Sequence, residues 1–139
     1  MIAKHLILHE TPFWSWSLFA NQSYLGRVQL TLRRECHGSL ADLTEPEWSD
    51  LRASLLDLEA LIRHLFQPDR FNYVQLGNVW PQVHVHAIPR YATSRNWNDI
   101  TFTDARWGDS PLPEPASAIG EVELVRLVAA MKDALNKAG

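Results

Sequence analysis

A single cysteine, Cys36, stands in 139 residues, so the chain cannot close an internal disulfide. A lone thiol fits a reducing compartment, and the cytoplasm is the expected location. No apolar run approaches the roughly 18 residues of a membrane span. The opening stretch from Met1 to Glu10 is broken by Lys4, His5 and His9 and holds no signal-peptide core. Basic residues are few: 13 Lys and Arg against 16 Asp and Glu, for a net charge of -3. Without a Lys/Arg cluster there is no sequence-independent grip on a nucleic-acid backbone, and an anionic membrane surface repels the chain weakly. Neither is an expected partner. What remains, 46% hydrophobic and 21% charged, is the composition of one globular domain.

Residues 13–33 read as two strands around a turn. Trp14, Trp16 and Leu18 alternate with Ser15, Ser17 and Phe19; the polar run from Asn21 to Gly26 turns the chain; Val28, Leu30 and Leu32 then alternate with Gln29, Thr31 and Arg33. Residues 44–66 read as a core helix. Thr44 and Glu47 form a capping box, and Trp48, Leu51, Leu55, Leu58, Ile62 and Leu65 make one apolar stripe, with Glu59 and Arg63 paired outside it. Two further strands are expected at Asn72–Leu76 and Gln82–Ile88. Residues 92–117, rich in Ser, Asn, Asp and Pro, read as an extended arm. From Ile119 to Lys137, Val122, Val125, Val128, Met131 and Leu135 follow helical spacing.

The chemistry concentrates in residues 82–90, Gln-Val-His-Val-His-Ala-Ile-Pro-Arg. With a period of two, Gln82, His84, His86 and Ile88 share one strand face while Val83, Val85 and Ala87 take the other. Two imidazoles about 7 Å apart are thereby held on rigid backbone. Gly77 and Asn78, just upstream, let backbone N–H groups approach an anion. Four readings of the paired histidines follow. They could be structural, buried and hydrogen-bonded. They could be two ligands of a metal, though Arg90 and Tyr91 stand where a third ligand of a cupin-like site belongs. They could be a phosphodiesterase pair, though the separate His-x-Thr/Ser motifs are missing. Or one imidazole is a nucleophile.

In favour of the fourth, the run resembles the signature of the histidine triad (HIT) family of nucleotide hydrolases and transferases, His-φ-His-φ-His-φ-φ with φ hydrophobic, with Gln82 in the first histidine position. Gly26-Arg27-Val28 resembles the start of that family's Gly-His-hydrophobic strand, with Arg27 replacing the histidine and implying a different anion contact. The run from Leu40 to Glu45 looks like the family's approach to its long helix. The resemblance covers about residues 13–91.

It implies an α+β fold: a five-stranded antiparallel sheet with a long helix packed on it, extended here by a C-terminal arm and helix. Residues 1–91 would be the catalytic domain, and 92–139 an appendage docked on it or on a partner subunit of a homodimer. His84 would attack the α-phosphorus of a nucleotide anhydride to form a nucleotidyl-histidine, without metal or other cofactor. His86 would hold phosphate oxygens or orient His84, and Gln82 would complete the triad. Asn21, Asn72, Gly77 and Asn78 would contact a purine nucleotide and its phosphates. An amide donates a hydrogen bond but shuttles no proton, so Gln82 favours substrates whose leaving group departs as a stable anion, dinucleoside polyphosphates above phosphoramidates. The alternative is a HIT-like module that binds nucleotides with little turnover. Phe13, Phe19 and Trp80 are the candidates for base stacking; Trp97 and Trp107 are candidates for capping the cleft or docking on a partner. His5, His9, His37 and His64 read as surface or structural residues, and Cys36 as inert.

Overall fold

The alternating segments form the expected hairpin: β2 (Trp14–Leu18) pairs antiparallel with β3 (Val28–Leu32), Trp16 opposite Leu30. The computed structural model describes residues 2–117 and 119–138. A short strand, β1 (Ile7–Glu10), adds to the outer edge of β2. On the other side β3 pairs with β5 (His84–Arg90), and β5 with the edge strand β4 (Arg70–Val74). The resulting five-stranded antiparallel sheet has the order β1-β2-β3-β5-β4. The last two strands begin and end about two residues from the expected bounds. Gln82 precedes β5, and Leu76 lies beyond β4.

One sheet face is apolar. Trp14, Trp16, Leu18, Val28, Leu30, Leu32, Val83 and Ala87 are buried in the core. Helix α1 (Glu45–Phe66) packs there, its start fixed by the reciprocal Thr44–Glu47 capping box and by Pro46 in its first turn. Leu58 and Ile62 lose all exposure, each gaining about 1.5–3 kcal/mol from burial. The stripe differs from the expected one. Trp48 is 40% exposed, and Ser54, Leu61 and Phe66 join the buried face. At 3.6 residues per turn Trp48 has the same helical angle as the buried Phe66, five turns on, so its exposure follows from its place in the first turn of the helix and not from its angle.

Helix α2 (Glu121–Ala138) packs on β1 and on α1 of the same chain. Its buried residues are Leu124, Leu127, Val128 and Met131, while Val122 and Val125 are exposed. Those two valines stand roughly 170° and 110° from the centre of the inward face, so helical spacing alone misassigned them.

The segment from 92 to 117 is not the extended arm expected. It contains a hairpin of β6 (Arg95–Trp97) and β7 (Ile100–Phe102), and buries Phe102 and Asp104. Asp104 holds Arg90 through two hydrogen bonds, at 2.7 and 3.1 Å. That pair ties the segment to β5, and just before it Tyr91 donates to the Leu25 carbonyl at 2.6 Å. From Pro111 to Ser117 the chain has no regular structure and lies along the connection between β2 and β3. Tyr24 donates to the Pro111 carbonyl at 2.6 Å, Asn21 to the Pro115 carbonyl at 2.9 Å, and the Gln22 amide to Ser117 Oγ at 3.0 Å.

Candidate active site

The alternation of β5 sends Val83, Val85 and Ala87 into the core and His84 and His86 to the opposite face. There His84 stands across from Thr31, and His86 lies between Gln29 on β3 and Val74 on β4. The two rings meet edge to face at 5.2 Å.

The nitrogens of the two rings are in opposite situations. His84 Nδ1 lies 2.6 Å from the backbone carbonyl of Gln82. A carbonyl only accepts, so the proton is on Nδ1 and the Nε2 lone pair is free. Trp80 lies over the same ring at 5.1 Å, limiting its rotation. His86 Nδ1, by contrast, lies 3.3 Å from Arg27 Nη2. A guanidinium only donates, so here Nδ1 accepts and Nε2 carries the proton. Burial, then the nearby Arg27 and His84, hold the His86 pKa down to about 3. His86 is thus a neutral hydrogen-bond donor through Nε2.

Arg27 is only 3% exposed. Gly26 places it: at φ +87 this residue adopts a left-handed conformation, and a Cβ there would come within 3.2 Å of the Phe66 ring. The guanidinium sits 4.0 Å over the Phe19 ring and pairs through Nη1 with Glu114 at 2.6 Å.

His84, His86, Gly77 and Asn78 line one cleft of about 450 Å³, with Trp80 and Phe19 as aromatic walls. Gly77, at φ +74, turns the chain between β4 and β5. Three other expected site residues are elsewhere. Gln82 spends its whole amide on backbone, donating to the carbonyls of Leu32 at 2.8 Å and Arg34 at 2.7 Å and accepting from the Cys36 amide at 2.9 Å. It borders a neighbouring cavity of about 490 Å³ on the other side of Trp80. Asn72 accepts from Arg90 Nη1 at 2.8 Å and faces a separate depression beside Trp107. Asn21 is engaged by Pro115 and by the Ser23 amide. Of the aromatic candidates Phe13 lies outside the cleft, and Trp97 packs on the core.

Leu112 and Glu114 also line the cleft, and sequence reasoning missed both. Glu114 is 87 residues from Arg27, and its only local signal was a carboxylate set among prolines. Among the described residues no three His, Cys, Asp or Glu side chains come together as a metal-holding group.

No family model matches the chain. A stretch of 70 residues is 33% identical to the asymmetrical bis(5'-nucleosyl)-tetraphosphatase of Schizosaccharomyces pombe, covering 47% of this chain and 38% of that protein. Among solved structures, a histidine triad protein from Marinobacter aquaeolei superimposes with a TM-score of 0.76, over 100% of this chain and 98% of that one, at 20% identity. The chain has the histidine triad fold. A histidine triad protein from Sinorhizobium meliloti gives a TM-score of 0.73 over 92% and 87% of the two chains, at 18% identity. The Plasmodium falciparum diadenosine triphosphate hydrolase gives 0.68 over 98% and 80%, at 17% identity. Within this histidine triad fold, the alternation of a single strand is enough to bring His84 and His86 to one cleft, while Gln82 turns away into the loop after β3.

Proposed function

We propose that this chain is a histidine triad nucleotide hydrolase or nucleotidyl transferase acting on phosphoanhydrides, with His84 as nucleophile. The observation that carries the reading is the 2.6 Å contact of His84 Nδ1 with the Gln82 carbonyl, which leaves Nε2 as a bare nitrogen on a cleft-lining ring. In the step proposed, Nε2 forms a bond to the α-phosphorus as the bond to the leaving phosphate oxygen breaks. The Nδ1 proton stays hydrogen-bonded to the carbonyl, which disperses the charge gained by the ring. Water then attacks the phosphorus, breaking the P–N bond, returning the lone pair to His84 and releasing one proton to solvent. The Nε2–H of His86 and the backbone N–H groups near Gly77 and Asn78 donate to the non-bridging oxygens, where charge grows in the transition state. Gln82 has no free donor and no proton to deliver. Leaving groups that depart as stable anions suit such a site, which favours dinucleoside polyphosphates. The names of the fission yeast and Plasmodium proteins point to the same substrate class. The reading also carries a purine nucleotide as ligand and a homodimer in the cytoplasm as its setting.

A second reading, a nucleotide-binding module with little turnover, is favoured by the full engagement of Gln82 alone. Initial rates of diadenosine tetraphosphate hydrolysis, with AMP affinity by calorimetry, separate the two. The first reading expects turnover by the wild type and at least about a thousandfold loss in His84→Ala, with AMP affinity kept within about threefold. AMP binding without turnover by the wild type moves the conclusion to the module. Equal turnover by both proteins contradicts His84 as nucleophile.

A further inference from the structure

Among the described residues that line the cleft, Arg27 is the one permanent cation and Glu114 the one carboxylate. A nucleotide phosphate entering beside His84 and His86 brings negative charge into a space where the only full positive charge is already paired. The pairing is local and reversible in character. The Glu114 side chain remains 32% exposed while that of Arg27 is 4% exposed, so the carboxylate can return to water and the guanidinium cannot. Arg27 also holds more donor capacity than its partners use. Its buried Nε has no hydrogen-bond partner among the described residues, and a guanidinium fork matches two oxygens of a phosphoryl group as readily as a carboxylate. Its Nη2 already touches His86, so an oxygen bound by Arg27 lies next to the triad strand.

We propose that Arg27 is a phosphoryl-binding subsite, specific to this chain's Arg at that position, and that Glu114 occupies it as an internal anion that a nucleotide phosphate displaces. This deepens the proposed function and rests on its reading of the cleft as a nucleotide site. Glu114 lies in the strap of residues 111–117, which the contacts of Tyr24 with Pro111, Asn21 with Pro115 and Gln22 with Ser117 hold in place. Phosphate binding therefore loosens the strap's hold at its centre, and a ligand without a phosphate does not.

The test is calorimetric titration of AMP and of adenosine into the wild type, Glu114→Gln and Arg27→Gln. Glu114→Gln keeps the shape and removes the competing charge. It is expected to bind AMP about fivefold more tightly, with adenosine affinity unchanged. Arg27→Gln is expected to lose AMP affinity about tenfold or more. Because Arg27 is buried and its variant is at risk of misfolding, hydrogen exchange on the wild type gives an independent readout: AMP, and not adenosine, should speed exchange of the Gln22 backbone amide, which donates to Ser117 Oγ of the strap. Weaker or unchanged AMP binding by Glu114→Gln overturns the displacement while leaving the nucleotide site standing. So does an equal gain for adenosine, or unchanged or slower exchange of the Gln22 amide with AMP. Failure of all three proteins to bind AMP overturns the proposed function itself, and the subsite with it.

Discussion

His84 donates through Nδ1 to the carbonyl of Gln82, two residues back in its own chain, at 2.6 Å. The orienting partner of the candidate nucleophile is therefore backbone, set by the same extended geometry that puts His84 in the cleft. His86, on the next outward position, is oriented the other way by a side chain, Arg27.

Opposite tautomers follow. Nitrogen-15 histidine spectra of the neutral rings should show a protonated Nδ1 and bare Nε2 for His84, and the reverse for His86. The same tautomer at both positions would contradict the assignment of roles.

Gln82 holds three backbone partners, one at the end of β3 and two in the loop after it. Replacement by Ala strips that loop of buried hydrogen bonds and is expected to cost roughly 2–4 kcal/mol in urea unfolding. Gln82→His is expected to destabilise as well, since two ring nitrogens cannot replace three amide bonds. A Gln82→His protein as stable as wild type would show that the loop does not depend on this amide.

The depressed pKa of His86 makes a pH signature. Folding favours its neutral ring, with a pKa near 3 against about 6.5 when unfolded. Below pH 6.5 the unfolded chain binds the extra proton, so His86's contribution is complete above that pH and is lost as pH falls toward 3. Glu47, lowered to about 2 chiefly by its bond with Arg34, keeps its contribution down to about pH 4.5, near its ordinary value. The window from 6.5 to 4.5 therefore isolates the histidine from Glu47. Urea unfolding at pH 7 and 4.5 should show a smaller loss on acidification for His86→Gln than for wild type. An equal loss would place the titration elsewhere.

Gly26 is the hinge on which Arg27 turns into the cleft. Gly26→Ala meets both a left-handed backbone and the Phe66 ring at 3.2 Å, and is expected to lose roughly 1–3 kcal/mol of stability. AMP affinity, measured on the folded fraction, should fall with it as Arg27 is pushed out of place.

Much of this molecule was legible where the signal is local. The Thr44–Glu47 box and the two-residue alternation that separates His84 and His86 from Val83, Val85 and Ala87 each depend on neighbours in sequence, and both stand in the structure, although the strand runs 84–90 and leaves Gln82 outside it. The helix stripes were legible only in outline, because Val122 and Val125 have helical spacing but fall outside the angle that is buried, and Trp48 has the right angle but sits in the first turn of its helix. The site residues split the same way. His84, His86, Gly77 and Asn78 come from one continuous segment and meet in one cleft. Gln82 has the spacing of their face but precedes β5, and the course of residues 32–36, which no pattern on β5 encodes, captures its amide. Asn21 and Glu114 owe their partners to a chain crossing from more than 80 residues away. Such a crossing is decided by tertiary packing, beyond the range of periodicity.

The most direct test of His84 as nucleophile is the mass of the intact protein after rapid mixing with diadenosine tetraphosphate and an alkaline quench, which spares a phosphorus–nitrogen bond. The account predicts a gain of one adenylyl group, mapped by peptide sequencing to His84 and missing from His84→Ala. An adenylyl group on any other residue, or the same adduct on His84→Ala, would contradict it.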